Sequence, residues 1–228
     1  MDKRKVSFIY RLLVIASLAT GISLNLYNTP SVLSLVSYYT MQTNIMCLVA
    51  FIFFEIADIA NKKYKNHETY YLIKGALVIS VLIMVVVYTI SLSPEFSMTP
   101  NSMRRRTEYK MIGNVLVHEI SPILVILDYF LFDEKGNLKA FYPLIWMFIP
   151  ANYVLYVYTY SSMGGQFYNT GGSRRVAYFF LDHNLVGYKG VVFWLALIGF
   201  VIISLSFFLV LIDKKLAKLK KRNNKEGE

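Results

Sequence analysis

The stretch Asn114-Val-Leu-Val-His118-Glu119-Ile-Ser121-Pro122-Ile-Leu-Val-Ile-Leu-Asp128-Tyr-Phe-Leu-Phe132 decides the class of this chain. It is long and apolar enough to span a bilayer. It nevertheless carries three ionisable side chains, which inside a span face protein, water or a function, because hydrocarbon solvates them poorly. On a helix, at about 100° per residue, Asn114, His118, Ser121 and Asp128 fall within one side roughly 80° wide, and Glu119 points away from it. Pro122 removes a backbone donor, so a bend is expected one turn after His118.

The rest of the chain supplies partners for this span. Six apolar segments of about 20 residues occur. They lie near Val6–Leu26, from Ser31 to Ile59, and near Leu72–Leu92, Met111–Phe132, Phe141–Tyr160 and Gly190–Ile212. With 228 residues, 56% of them hydrophobic, the expected fold is a single all-α membrane domain of six transmembrane helices in a compact bundle. Thr29-Pro30-Ser31 reads as the start of the second span. The basic start Met-Asp-Lys-Arg-Lys is followed by no clear small-residue cleavage site, so the first span is read as retained. The single cysteine, Cys47, excludes an internal disulfide and any multi-cysteine metal site.

The net charge of +10 sits in short loops and at the chain ends. That placement reads as topology-setting charge, and no nucleic-acid partner is expected. With both termini on the cytoplasmic side of the cell membrane, 17 Lys and Arg fall inside and 7 outside. The outer Arg104-Arg105-Arg106 cluster runs against the bias. It reads either as head-group contact or as a clamp for an acidic group of a substrate. Of the long outer loops, 161–189 carries Gly164-Gly165 and Gly171-Gly172, which suits a mobile lid or a plain connector.

The second span adds a polar stripe of its own: Thr40, Asn44, Cys47, Glu55 and Asp58 share one helical side. Glu55 and Asp58 lie toward the inner end, level with Arg11 and Lys74, and read as structural ion partners. Thr40 is nine residues into its span and His118 seven into the fourth, which places both about 10–14 Å deep at 1.5 Å rise per residue. A hydroxyl next to an imidazole base is the minimal arrangement for nucleophilic acyl transfer. The competing reading is that the threonine bonds its own helix and the histidine only packs. Asn152, deep in the fifth span, needs a partner and is expected to face the same cavity. Of the three histidines, His67 falls in an inner loop. A zinc site would need His118, His183 and Asp182 or Glu119, with no recognisable spacing, so neither metal nor cofactor is expected.

Arg11-Leu-Leu, Tyr39-Thr40-Met-Gln-Thr-Asn44, His118-x-x-x-Pro122 with Asp128-Tyr-x-Leu-Phe132, and Tyr178-Phe-Phe-Leu-Asp182 together resemble the bacterial six-span "Pr" family of membrane proteins. The resemblance covers nearly the whole chain. It departs at Thr43, where serine is more usual, at Tyr129 in place of tryptophan, and at Phe179 or Phe180 in place of proline. That family is distantly similar to the androgen-induced-gene and androgen-dependent TFPI-regulating membrane proteins, which hydrolyse fatty acid esters of hydroxy fatty acids. Tyr-x-Thr at Thr40 and Asn-x-x-x-His at Asn114 and His118 match their motifs.

The resemblance implies an intramembrane hydrolase of lipidic esters, with Thr40 as nucleophile and His118 as base. Asn114 is expected to orient the imidazole, Asn44 or Asn152 to donate to an oxyanion, and Asp182 to be the remote carboxylate. The alternative is a membrane protein that binds a lipid or small molecule, or assists a transporter, without turnover.

Overall fold

The computed structural model describes residues 3–27, 29–60, 65, 67–91, 108–169 and 172–226. Nearly all of the described chain is helical. In chain order come α1 (Lys3–Tyr27), α2 (Val32–Val36), α3 (Tyr39–Ile59), α4 (Glu68–Ser91) and α5 (Glu108–Val115). A π-helical segment (Leu116–Ile120) joins α5 to α6 (Ser121–Phe132); α7 (Tyr142–Trp146), α8 (Phe148–Ser162) and α9 (His183–Glu226) follow. Between α8 and α9, β1 (Phe167–Asn169) pairs antiparallel with β2 (Gly172–Arg174), and a 3₁₀ turn spans Phe179–Leu181.

Five of these helical stretches are long and apolar enough to cross a membrane: Arg4–Tyr27, Tyr39–Ile59, Glu68–Ile90, Met111–Phe132 and His183–Asn223. The chain is therefore a helical, multi-pass type of bundle. The expected continuous span 141–160 is instead divided at Met147 into α7 and α8. Pro150, lacking an N–H, leaves the Trp146 carbonyl without its i+4 donor, which favours a break at that point. The expected second span is divided too. Ser31 caps α2 through its hydroxyl (Ser34 N to Oγ, 3.3 Å), and Tyr38 then turns extended (φ −75°, ψ 142°) before α3 begins. The Ser37 hydroxyl donates back to Leu33 O (2.7 Å), so α2 closes on itself rather than running into α3.

α1 packs against α3 and against α5–α6, and α4 packs against α3 and α6. Small residues let these helices approach. A Cβ on Gly21 would sit 2.9 Å from Val117 Cγ1, and one on Gly75 would sit 2.2 Å from Cζ2 of Trp146, whose ring is anchored by Nε1–H donation to Leu72 O (2.9 Å). The core is aliphatic along α4, with Leu77, Val78, Ile79 and Val81 buried. It becomes aromatic at the hairpin end, where Phe167, Phe179 and Phe180 are buried.

The 161–189 connector is anchored by its own contacts. Tyr168 N–H donates to Ser34 Oγ (2.7 Å), Tyr38 OH donates to Tyr168 O (3.2 Å), and Tyr158 OH donates to Leu181 O (2.8 Å). A mobile lid is not what these described residues form. They form a hairpin and a turn seated on α2, the start of α3 and α8.

Charge is concentrated at the opposite end, among the start of α1, the end of α3, the start of α4 and the end of α6. Arg11 is fully buried there. Its Nε meets Asp128 Oδ1 (2.9 Å), its Nη1 meets Asp58 Oδ2 (2.9 Å), and Glu55 lies 3.6 Å away. Lys74, also fully buried, bonds the other oxygen of Asp128. Asp133 accepts from Tyr70 OH and lies 3.7 Å from Arg11 and 3.8 Å from Lys74. Asp213 of α9 takes Tyr129 OH (2.7 Å) and the amides of Gly136 (2.9 Å) and Leu138 (3.1 Å), which clamps the α6–α7 connection to α9. Buried charge is tolerated because each side chain of the Arg11–Asp128–Lys74 unit is paired and hydrogen-bonded.

Candidate functional site

The break between α2 and α3 sets the first half of the site. It makes Thr40 the second residue of α3, at a helix N-terminus. The first N–H groups of a helix have no intrahelical acceptor. Among the described residues no hydrogen bond uses the N–H of Thr40 or Met41. The positive end of the α3 dipole therefore lies at Thr40.

The second half comes from the π segment. Pro122 has no N–H, and the ladder before it slips by one residue: Ser121 N–H bonds Leu116 O, five positions back. π-Bulges expose backbone groups and frequently occur at functional sites. His118 lies at the centre of this one. Its Nδ1 is 3.0 Å from the carbonyl oxygen of Asn114. With a proton on Nδ1 donated to that carbonyl, the lone pair of Nε2 points at Thr40 Oγ1 at 3.2 Å. The imidazole stacks on Tyr88 (centroids 3.9 Å, planes 22° apart), and Tyr88 OH accepts from Asn114 Nδ2 (2.8 Å). One ring nitrogen and one ring face of His118 are thus fixed, and the remaining nitrogen is presented to the threonine.

The supporting residues divide. Asn114 does orient His118, but through its backbone carbonyl; its side chain holds Tyr88 instead. Asn44 is almost fully buried, and its amide donates to Thr40 O (2.8 Å) and Val117 O (3.1 Å). It therefore ties the Thr40 turn to the residue before His118 and is not aimed at the reacting atoms as an oxyanion donor. Asn152 is exposed and donates to Phe148 O of its own helix (2.6 Å); the expected shared cavity does not include it. Asp182 accepts from Asn184 N–H (3.0 Å) at the start of α9, which is helix capping and not support of His118. Arg104, Arg105 and Arg106 lie outside the described residues. His183 stacks on Tyr188 (4.9 Å). Among the described residues no three His, Cys, Asp or Glu side chains gather as a metal site would require.

Ser121 and Asp128, expected to line the same stripe as His118, are drawn elsewhere. Ser121 shares a hydrogen bond with Ser17 of α1 (2.8 Å), and Asp128 belongs to the ionic cluster. The extra π residue rotates the downstream helix relative to His118, so a uniform 100° step does not carry through it.

One neighbour had no sequence signal. Tyr88 sits in an aliphatic run, Val85-Val86-Val87-Tyr88, and only its stacking reveals it. Tyr178, the first residue of the Tyr178-Phe-Phe-Leu-Asp182 motif, follows β2 and stacks on Phe180 (5.3 Å). Beside it lies an apolar cavity of about 340 Å³ between α8, α9 and α4, lined among others by Ile83, Pro150, Val154, Tyr178, Leu195 and Ile198. A cavity of that size and character suits a hydrocarbon chain.

Searches of the chain against protein-family profiles, characterised proteins and solved structures found no match.

Proposed function

We propose that this chain is an intramembrane hydrolase of lipidic esters, with Thr40 as nucleophile and His118 as general base. The observation that carries the reading is the 3.2 Å approach of Thr40 Oγ1 to His118 Nε2, with Nδ1 held by the Asn114 carbonyl. In the reaction, Oγ attacks the ester carbonyl carbon while its proton passes to Nε2. The tetrahedral oxyanion collapses, and the departing alkoxide takes that proton. Water then attacks the acyl-threonine, giving a proton to His118, and His118 returns it to the departing Thr40 Oγ as the acid is released. The amides of Thr40 and Met41, at the positive end of α3, supply donors for the oxyanion. The Asn114 carbonyl and the Tyr88 ring fix the orientation of the imidazole.

The reading includes a resemblance to the six-span "Pr" family, with α7 and α8 together making a sixth crossing. It also places the protein in the cell membrane, with both termini cytoplasmic and the Thr40–His118 pair in the outer half. Externally applied thiol reagent should label a cysteine placed at 164 and spare one placed at 63; the reverse pattern would invert the orientation.

Dyad function is tested by fluorophosphonate labelling and turnover of acyl esters in detergent. The single alanine changes at Thr40 and His118 should each cost about as much as the double change, because the two act as a unit. Thr40→Ser should retain part of the rate and Thr40→Val none. Wild-type turnover by Thr40→Val would move the nucleophile elsewhere, with Thr43 the next hydroxyl to test.

One observation favours the alternative of lipid binding without turnover: neither Thr40 nor His118 is among the residues lining the apolar cavity. Wild-type protein that retains lipid but neither labels nor hydrolyses would select that reading.

A further inference from the structure

We propose that the cleft between the start of α1 and the end of α3 binds an anionic phospholipid, its phosphate held by Arg4 and Lys5 and its chains lying against Phe8, Ile9 and Ile59. The cleft has a volume of about 470 Å³ and is lined by those five residues and Asp58. It lies at the ionic end of the bundle and shares no residue with the Thr40–His118 pair. The order of its lining along α1 follows from helical spacing. Arg4 lies one turn before Phe8, and Lys5 one turn before Ile9, so each cation sits about 6 Å above an apolar side chain on the same face. Ser7 and Arg11 occupy the buried side of that helix. Arg4, Lys5, Phe8, Ile9 and Ile59 are all exposed. Cations at the end of the span followed one turn deeper by bare apolar side chains is the order of a phospholipid, head first and chains below.

Charge selects the head group. Arg4 Nη2 donates to the main-chain oxygen of Asp58 (2.7 Å), which ties the start of α1 to the end of α3 and fixes the guanidinium at the rim of the cleft. The acceptor is a neutral carbonyl, so this bond does not cancel the charge of Arg4. Asp58 is the one carboxylate in the lining, and its Oδ2 is taken by Arg11 Nη1 (2.9 Å) and Lys65 Nζ (2.8 Å). The cleft therefore presents net positive charge at its polar end. A guanidinium takes phosphate oxygens through paired N–H donors, and a lysine beside it adds a point charge. Basic clefts between spans at a membrane surface suit anionic head groups for this reason. A zwitterionic lipid brings its own cation toward Arg4 and Lys5 and gains less. Free phosphate shares the head-group chemistry but places nothing against Phe8, Ile9 and Ile59, so a lipid matches the whole cleft.

The test reads which lipid occupies this position. Ile59→Cys places a thiol at a residue that is 69% exposed, whereas Cys47 is fully buried and stays unlabelled. The full chain carrying bimane at 59 is reconstituted in phosphatidylcholine vesicles. Dibrominated phosphatidylglycerol or dibrominated phosphatidylcholine is added, and either quenches the dye on contact. The expected result is an affinity for phosphatidylglycerol at least about tenfold above that for phosphatidylcholine, falling to within about threefold in Arg4→Gln/Lys5→Gln. Lys5→Glu repeats the test at an exposed residue without breaking the Arg4 bond, and should lose the preference too. Lys214→Gln/Lys215→Gln removes equal charge from exposed positions on α9 and should leave the preference intact. Equal quenching of the wild type by the two lipids, a preference that survives the changes at Arg4 and Lys5, or one lost equally with Lys214 and Lys215 would overturn the proposal. So would a preference abolished by inorganic phosphate but not by chloride at the same ionic strength, which would assign the cations to the free ion.

Discussion

Asp128 is the side chain whose removal should cost this fold most. It is fully buried, bonds Arg11 Nε at 2.9 Å through one oxygen and Lys74 through the other, and both of those cations are fully buried as well. Asp128→Asn is nearly isosteric, so packing is kept and the loss is electrostatic. Two cations then face a neutral amide. Asp58, Asp133 and Glu55 remain as anionic groups, but only Asp58 is within hydrogen-bond distance of either cation, at 2.9 Å. Breaking a buried pair by neutralising one partner costs about 3–5 kcal/mol. Against a typical total of roughly 5–15 kcal/mol, that is a large fraction of the stability.

Two further variants, Lys65→Ala and Glu55→Gln, calibrate the number. Asp58 bonds Arg11 but also Lys65, and both Asp58 and Lys65 retain solvent exposure (22% and 37% of their side chains), so the Lys65 contact is worth no more than about 1 kcal/mol. Both Glu55 carboxyl oxygens are buried without a hydrogen-bond partner, and the closest cation atom is 3.6 Å away. Glu55→Gln removes no hydrogen bond and should leave stability within about 1 kcal/mol of wild type. Equilibrium unfolding of purified protein in mixed detergent micelles measures all three. A loss below about 1 kcal/mol for Asp128→Asn, or an equal loss for Asp128→Asn and Glu55→Gln, would refute the claim that pairing at Asp128 holds this end of the bundle.

Asp182→Ala should lower stability by about 1 kcal/mol through the lost cap on α9, with fluorophosphonate labelling of Thr40 unchanged. Labelling abolished in folded protein would restore Asp182 as support for the histidine. Combined Thr40 and His118 alanine variants should show the non-additive loss described above, and additive effects would separate the two residues. Thiol accessibility at 164 and 63 reports the orientation independently of any activity.

The linear chain determined the class of this protein. Apolar runs of the length of a bilayer, a single cysteine and a Lys and Arg excess gathered mostly at ends and in loops leave little besides a helical membrane bundle. It also singled out Thr40 and His118 as a pair, by counting residues from the outer ends of their spans. Arg11 was legible as a partner of Glu55 and Asp58 from its level near the inner end, but Lys74 pairs instead with Asp128 and Asp133, and Arg11 also bonds Asp128.

What only the tertiary structure decided arises where helices stop being regular. The break at Ser37–Tyr38 turned Thr40 from a mid-helix residue into the second residue of α3, with unpaired amides at its back. At that break Ser37 shares a hydrogen bond with Tyr156 of α8 (2.7 Å), 119 residues away. The π segment before Pro122 changed the phase of the fourth span, so His118 turned to Thr40 while Ser121 and Asp128 turned to α1 and α4. Asn152 faced outward because its own helix carbonyl satisfied it, an outcome periodicity cannot distinguish from cavity lining. Tyr88 joined the site through ring stacking on His118, and contacts between residues far apart in the chain leave no local pattern to read.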